Sequence, residues 1–458
     1  MSAKKRAAVG EKPQPDTAEL LSKANKPAEE SRKFHPFYEG KIEITPKVPV
    51  RSFDDFAIWY TPGVAEPCRE IAKDKEAAYR LTNKWNNVAI VTDGTRVLGL
   101  GDIGPEAGLP VMEGKSLLFK YLGGVDAFPL CLATKDPDEI IETVIRLQPS
   151  FGGINLEDIS QPKCFYILDR LREECEIPVW HDDQQGTATI ITAGAINAVK
   201  VVGKKLAEVK VALVGAGASN ICASHVLISA GVSPKHIVMC DSKGILGVHR
   251  KDIAKSEFAD KWEICRSTNG EGLIGGVPEA MKGADLAIAA SRPGPGIVKK
   301  EWVAAMADDA ILFPIANPIP EIWPWEAKEA GARIVATGRS DFPNQVNNSL
   351  GFPGIFRGTL DVRASTITDE MCLAAARELA KIAEDEGLHE EHIVPTMDNE
   401  TVFPREATAV GLKAIEQGIA RNKLSRKELL DRATVIISRA RRESKHLMGT
   451  EFIRQPPA

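Results

Sequence analysis

Two pairs of adjacent acidic residues stand out because each pair follows an apolar stretch. Glu157 and Asp158 occur in FGGINLEDIS, and Asp182 and Asp183 occur in IPVWHDDQQGTA. Carboxylates at buried strand ends are costly unless they are paired or bound to a cation. Three such oxygens, completed by a ligand and water, suit Mg²⁺ or Mn²⁺. The pattern therefore favours a divalent metal site, with surface acids or a structural ion pair as alternatives, and His181 is expected to be packed and hydrogen-bonded instead of ligating.

The segment VALVGAGASN indicates a turn that binds a nucleotide. Gly215 and Gly217 lie between a predicted strand and a predicted helix over residues 221–230, where glycines let backbone amides approach a pyrophosphate. Asp241 ends the next predicted strand, and a carboxylate there can accept hydrogen bonds from an adenosine ribose. Asn220 stands at the third glycine position of this motif, so an ordinary strand–helix turn is the alternative. The candidate nucleotide-binding residues are Gly215, Gly217, Ala218, Ser219, Asn220 and Asp241.

The residues after the second strand bear on which nicotinamide nucleotide would bind. Asp241 would repel the 2′-phosphate of NADP, which favours NAD. Ser242 and Lys243 follow directly and could bind that phosphate. We therefore predict NAD, with NADP as the alternative.

Apolar runs divide the chain into two regions that must position these residues. The first region mixes predicted strands at 87–94 and 126–134 with a helix at 136–150 that has acids in its first turn. A helix of small and apolar residues is predicted at 187–203. Beyond it, strands are predicted at 209–217, 236–241, 284–291, 310–318 and 332–338, separated by helical lengths. This alternation predicts a doubly wound parallel sheet, in which ligands bind at the carboxyl ends of the strands.

The composition excludes several classes of protein. The net charge of −5 over 458 residues gives no chain-wide basic field for nucleic acid or anionic lipid. The eight cysteines occur singly, as is typical of reduced thiols in a cytosolic protein. The polar start of the chain has no secretory signal pattern, and no apolar run approaches the length of a membrane span. We expect a cytoplasmic protein without nucleic-acid or membrane partners.

Several motifs resemble, in order, those of the short malic enzymes of bacteria and archaea. The motifs are WYTPGVAEPC, VTDGTRVLGLGDIGPEAGLPVMEGKSLLFK, INLEDI, HDDQQGTA, FPIANPIPE and ATGRSDFPNQVNN, spanning roughly residues 36–400. The resemblance implies an α/β fold with an N-terminal malic-type domain at 36–180 and a Rossmann-type domain at 181–400. A flexible or loosely helical leader (1–35) and a C-terminal helical extension (401–458) would flank them, with the active site in the cleft between the two domains.

The resemblance also implies roles for individual residues. Tyr60 matches the general acid, Lys115 the general base, and Asp182 a neighbour that positions the lysine. The positions of the metal ligands are Glu157, Asp158 and Asp183, and those that contact substrate are Arg96, Asn317 and Asn347, with Asn317 also beside the nicotinamide. Two departures occur: Gln185 stands where many short members carry histidine, and Pro314 interrupts the strand before Asn317.

The implied activity is metal-dependent oxidative decarboxylation of malate to pyruvate and CO₂ with hydride transfer to NAD(P), and also decarboxylation of oxaloacetate. The family further implies a homodimer. An enzyme without net redox chemistry, an oxaloacetate decarboxylase or malolactic type, is the first alternative. A non-catalytic sensor on the same fold, or a module whose basic C-terminus contacts nucleic acid, are the others.

Overall fold

The computed structural model describes residues 17–254 and 257–456. Among the described residues, 42–445 belong to one compact unit and 17–41 with 446–456 belong to another. In the latter, helix α1 (Thr17–Tyr38) ends at Tyr38, whose hydroxyl donates to the carbonyl oxygen of Arg454 at 2.8 Å. Part of the predicted leader, residues 1–16, lies outside the described residues.

A four-stranded sheet forms from the first region of the larger unit. Its strands are β1 (Asn87–Thr92), β2 (Asp126–Cys131), β3 (Gly153–Leu156) and β4 (Val179–His181), in the order β2-β1-β3-β4. All three pairings are parallel. The run Val88 to Val91 is fully buried, as expected for a strand that is covered on both faces. The carboxyl ends of β1, β3 and β4 therefore meet at one edge.

A six-stranded sheet forms from the second region. Its strands are β5 (Val211–Val214), β6 (Ile237–Asp241), β7 (Gly244–Ile245), β8 (Leu286–Ala289), β9 (Ile311–Pro314) and β10 (Ile334–Val335). The order is β10-β9-β8-β5-β6-β7, parallel except for β7, which pairs antiparallel with β6. The chain runs outward from β5 to β6 and then crosses to β8 on the other side, which confirms the predicted doubly wound sheet.

The remaining helices follow in chain order. They are α2 (Asp55–Trp59), α3 (Ala65–Lys73), α4 (Ala78–Leu81), α5 (Pro105–Gly123), α6 (Pro137–Leu147), α7 (Lys163–Glu174), α8 (Thr187–Val201), α9 (Ala218–Ala230), α10 (Ala259–Ser267), α11 (Val277–Met281), α12 (Lys300–Ala304), α13 (Pro324–Glu329), α14 (Phe352–Val362), α15 (Asp369–Glu386), α16 (Val402–Glu416) and α17 (Arg426–Gly449). Within the described part of the chain, none of the helices combines the length and apolar character needed to cross a membrane.

Side-chain caps explain where some of these helices begin. The Asp136 carboxylate accepts from two backbone amides at the start of α6, and Thr368 accepts from the amide of Met371 at the start of α15. Helix α9 begins at Ala218, earlier than the predicted residue 221, because the glycine turn is shorter than expected. Strand β9 ends at Pro314, so this proline terminates the strand and does not interrupt it.

Helix α8 forms part of the interior of the larger unit. Most of its residues are buried, and it packs against α9 and α15. Its alanines, its glycine and its threonines allow close approach, as the sequence predicted. A rigid helix at this place fixes the turn that precedes it, which contains Asp182 and Asp183.

Candidate active site

The carboxyl ends of β3 and β4 bring the two acidic pairs together. Glu157 and Asp158 directly follow β3, and Asp183 lies in a π-helical turn, Asp182–Gly186, that follows β4. One carboxylate oxygen from each of Glu157, Asp158 and Asp183 lies within 4.8 Å of the other two. The structure thus gathers the three predicted metal ligands into one cluster.

The cluster has the properties of a cation site. Glu157 and Asp158 are buried, and Asp158 Oδ2 has no hydrogen-bond partner among the described residues. Burial, together with the charge of Asp183, raises the pKa of Asp158 to about 8. Burial also raises the pKa of Glu157 well above its usual value. Crowded, dehydrated carboxylates with a spare acceptor suit a hard divalent cation, so the residues present fit the predicted metal.

A glycine shapes the turn that holds the second acidic pair. A Cβ atom on Gly186 would overlap Oδ1 of Asp182, which folds back over the turn. Asp182 is fully buried, and its Oδ1 accepts from the indole of Trp180 at 3.3 Å. Its other oxygen is thereby directed at Lys115.

Lys115 projects from α5 into the same cluster. Its Nζ lies 2.6 Å from Glu157 Oε2, forms a short hydrogen bond to Asp182, and lies 4.7 Å from the ring centroid of Phe352. Burial acts to lower the pKa of this amine, but the carboxylates of Asp182 and Glu157 outweigh burial, and the pKa is raised above its usual value. The predicted contact between Asp182 and Lys115 is therefore present.

His181 is packed beside the cluster without joining it. Both ring nitrogens are buried without a hydrogen-bond partner in the described part of the chain, and Nδ1 lies 3.7 Å from Asp183 Oδ2. Burial lowers the pKa of His181 to about 4, so the ring is neutral near neutral pH. The predicted packing is found, whereas the predicted hydrogen bond is not.

The glycine turn between β5 and α9 approaches a neighbouring strand closely. Gly215 has φ of 103°, and a Cβ there would lie 2.5 Å from the carbonyl oxygen of Ala290 at the end of β8. Asn220 is buried, and its amide donates to the carbonyls of Val214 and Gly215 at 3.1 and 2.8 Å. Asn220 therefore stabilises the turn without lining the cavity described below. That cavity is lined by Gly217, Ala218 and Ser219.

Asp241, at the end of β6, is held by an arginine that sequence reasoning missed. Arg250 Nη1 and Nη2 donate to Asp241 Oδ1 and Oδ2 at 2.8 and 2.9 Å, and the same guanidinium donates to Asp252. Burial acts to raise the pKa of Asp241, but the bonds from Arg250 keep it below the usual value. The carboxylate is charged, and its charge is shared with a guanidinium.

One cavity of about 1260 Å³ joins the acidic cluster to the glycine turn. Asp182, Asn220 and Tyr60 do not line it. The predicted site residues that do are Arg96, Lys115, Glu157, Asp158, Asp183, Gly215, Gly217, Ala218, Ser219, Asp241, Asn317 and Asn347. Residues from both sheets thus converge on one space at the carboxyl ends of their strands.

Asn347 lines the cavity, but its amide is already engaged. Its Oδ1 accepts from the backbone and hydroxyl of Ser349, and its Nδ2 donates to the carbonyl of Gly338 at 3.0 Å. The next residue, Asn348, also lines the cavity, and its side chain makes no hydrogen bond among the described residues. The motif QVNN, from which Asn347 was predicted to contact the substrate, also contains Asn348.

Tyr60 does not line the cavity. It directly follows α2, and its side chain is 71% exposed. The structure therefore does not bring the predicted general acid to the predicted general base within one chain.

Two family models match the chain: "Malic enzyme, N-terminal domain" over residues 39–172 and "Malic enzyme, NAD binding domain" over residues 184–415. They define its class, and the chain belongs to the malic enzyme family. The Geobacillus stearothermophilus NAD-dependent malic enzyme is 51% identical over 83% of this chain and 78% of its own length. The Bacillus subtilis bifunctional malic/malolactic enzyme is 48% identical over 88% and 97%.

A solved structure agrees with this assignment. The crystal structure of Entamoeba histolytica malic enzyme matches with a TM-score of 0.94 and 49% identity, over 97% of this chain and 93% of that one. The related proteins include both NAD-dependent and NADP-dependent malic enzymes. The family resemblance in the sequence is thereby confirmed, together with the α/β fold and its Rossmann-type nucleotide-binding part.

Proposed function

We propose that the protein oxidises (S)-malate with NAD or NADP and releases CO₂, leaving pyruvate and the reduced nucleotide. The observation that carries this proposal is the contact of buried Lys115 with the acidic cluster in the cavity that also contains the glycine turn. The test is a parallel assay with malate, Mn²⁺, and either nucleotide, in which reduced nicotinamide and pyruvate must appear in equal amounts. Absence of both products would contradict the proposal.

The chain's own residues supply binding and proton transfer. We propose that Glu157, Asp158 and Asp183 hold a divalent cation, which when bound stabilises negative charge on the substrate oxygens. The carboxylates of Asp182 and Glu157 raise the pKa of Lys115, so its amine would be neutral only when the charge of a bound cation offsets them. In that state Lys115 would accept the proton of the substrate hydroxyl, and Asp182 would orient the amine. Arg96, on the loop after β1, would bind a substrate carboxylate. Asn317 would contact the substrate beside the nicotinamide, which accepts the hydride.

We further propose that the protein is a homodimer in which Tyr60 serves the cavity of the second copy. Tyr60 is exposed, and apolar side chains in the preceding segment of the chain are exposed as well: Ile44 at 85%, Phe53 at 89% and Ile58 at 57%. Exposed apolar surface of this kind is typical of a protein interface. A second copy bound there would cover these side chains, and its cavity could receive the phenol that protonates carbon after CO₂ leaves.

We propose NAD as the preferred nucleotide. The charged Asp241 carboxylate, at the end of β6, would hydrogen-bond a ribose and repel a 2′-phosphate. Arg250 reduces this repulsion, and Lys261 adds a cation to the lining of the cavity, so the preference is expected to be moderate. The ratio of kcat/KM for the two nucleotides measures it.

A second candidate is decarboxylation without net redox change. The Bacillus subtilis relative is described as a bifunctional malic/malolactic enzyme. A malolactic reaction would release CO₂ and lactate from malate while the nucleotide returns to its starting state. Oxaloacetate decarboxylation would likewise leave the nucleotide unchanged. Lactate, or pyruvate formed from oxaloacetate, without accumulated reduced nicotinamide would identify these activities.

A further inference from the structure

A fully buried carboxylate lies beneath the cavity and has no part in the chemistry proposed above. Glu321 is 0% exposed. Its Oε1 accepts from the backbone amide of Ser291 at 2.8 Å and from the Ser291 hydroxyl at 3.0 Å. Its Oε2 accepts from the backbone amide of Ala316 at 3.1 Å. One side chain therefore bridges two separate loops.

Both loops line the cavity. One follows β8 and contains Ser291, and the other follows β9 and contains Ala316 and Asn317. Backbone hydrogen bonding between β8 and β9 extends as far as the bond from the Ile315 amide to the Ala289 carbonyl, which is 2.9 Å long. The amides of Ser291 and Ala316 lie beyond this bond, where the Glu321 carboxylate accepts from both.

Burial of the Glu321 carboxylate between the two loops costs free energy. Burial raises the pKa of its carboxyl to about 7, against the hydrogen bonds from Ser291 and Ala316. Among the described residues, no lysine, arginine or histidine forms an ion pair with it. A buried carboxylate without a cation costs several kcal/mol, so a role in packing alone would be served better by an apolar side chain (about 1–4 kcal/mol).

We propose that Glu321 is a positioning residue. By binding the backbone amides of Ser291 and Ala316, it fixes the position of the Asn317 side-chain amide for the reaction. This inference rests on the proposed function. The Ala316 amide belongs to the residue before Asn317, so its bond to Glu321 limits how far Asn317 can move. Displacing a reacting partner by about 1 Å can cost about a hundredfold in rate.

The experiment compares Glu321→Gln and Glu321→Ala with a matched control, Glu326→Gln. Glu326 also accepts from a backbone amide, that of Trp323 at 3.3 Å, but Trp323, unlike Ser291 and Ala316, does not line the cavity. Glutamine offers one acceptor oxygen instead of two, so one of the two loops loses its bond. We expect kcat for malate oxidation to fall about tenfold to a hundredfold in both Glu321 variants, with the control within about twofold of the unchanged protein.

Amide hydrogen exchange, read by mass spectrometry on the intact chain, reports on the loops directly. Peptides containing Ser291 and Ala316 should exchange faster in the Glu321 variants, and other peptides of the six-stranded sheet should not. If Glu321→Ala fails to fold, Ser291→Ala replaces it, because it removes only the hydroxyl bond and should lower kcat less than Glu321→Gln does.

A lower melting temperature with unchanged kcat and unchanged affinity for reduced nicotinamide would overturn the inference, because it would show a purely structural role. The two proposals can also fail separately. If the unchanged protein does not oxidise malate, loop exchange and binding of reduced nicotinamide remain measurable. Faster exchange with weaker binding in Glu321→Gln would then retain the positioning role, and no change in either would refute it.

Discussion

The Ser219 hydroxyl donates a hydrogen bond of 2.9 Å to the backbone carbonyl of Asp183. Ser219 lies in the first turn of α9, which follows the glycine turn, and Asp183 belongs to the acidic cluster. The bond joins the part of the cavity predicted to bind a nucleotide to the part predicted to bind a metal. A shift of one part is therefore expected to move the other.

The role of Lys115 is tested by Lys115→Ala. Without the amine, the proposed acceptor of the hydroxyl proton is missing, and we expect kcat to fall by about 10²- to 10⁴-fold. Binding of reduced nicotinamide, followed by fluorescence, should persist. Lys120→Ala is the control, since Lys120 lies on the same helix and pairs with Asp126 instead. Turnover comparable to the control would remove Lys115 from the mechanism.

The metal site is tested by Asp183→Asn. Loss of one of three charged ligands should weaken Mn²⁺ binding by about tenfold or more, measured by calorimetric titration. Asp169→Asn serves as the control, because Asp169 is exposed on α7 and lies outside the cluster. Equal Mn²⁺ affinity in the two variants would refute the ligand role of Asp183.

Nucleotide preference is tested by Asp241→Ser. The change removes the carboxylate that would repel a 2′-phosphate and frees two N–H groups of Arg250 to bind it. We expect the ratio of kcat/KM for NADP over NAD to rise about tenfold or more. Asp252→Asn, which removes the charge of the other carboxylate that Arg250 contacts, should change the ratio much less. A ratio that Asp241→Ser leaves unaltered would contradict the placement of the ribose.

The proposed dimer is tested by complementation between two inactive variants. Tyr60→Phe and Lys115→Ala chains, produced together, form mixed dimers with one intact site if Tyr60 acts in the cavity of the second copy. Activity should then return to about a quarter of the unmodified level, for random pairing of equal chains. Lys115→Ala with Asp183→Asn is the control and should stay inactive. No recovery in the first pair would show that Tyr60 does not act across the interface.

A buried acid that does not line the cavity predicts how the free energy of unfolding depends on pH. Glu406 on α16 is 0% exposed, and neither of its oxygens has a partner in the described part of the chain. Burial raises its pKa well above the usual value. The folded state therefore keeps a proton that the unfolded state releases, so this contribution to stability is full below the unfolded pKa and is lost as pH rises toward the folded pKa.

Glu406→Met should remove that loss. We expect the variant to be more stable by about 1–3 kcal/mol near neutral pH, with a gain that grows as pH increases. Urea unfolding at several pH values measures it. Glu416→Met, at an exposed acid on the same helix that pairs with Lys413, is the control. A gain that does not depend on pH would contradict ionisation of Glu406 as the cause.

Local features of the structure were predictable because neighbouring residues produce them. The apolar runs of β1, β5 and β8 and the glycine turn at Gly215 each depend on a few adjacent side chains. The very short β7 escaped prediction, since a strand of two residues has too little pattern to recognise. The predicted start of α9, residue 221, was too late, because the glycine turn before it is short.

Side-chain pairings between separate loops were outside the reach of such patterns, even where few residues separate the partners. Nothing in the sequence near Asp241 indicated that Arg250 would bind both of its oxygens, and Glu321 was not recognised as the acceptor for Ser291 and Ala316. The exposed position of Tyr60 was also unexpected, because the motif around it suggested a catalytic residue without indicating which cavity it reaches.

The residue types and their order along the chain were thus enough to indicate the family, the parallel sheets and the candidate residues. The folded molecule was needed to show that Lys115 contacts Glu157 and that Asp241 shares its charge with an arginine. The reason is physical: a side chain's charge and partners depend on which strand ends and helices pack beside it, and this packing is a property of the whole fold.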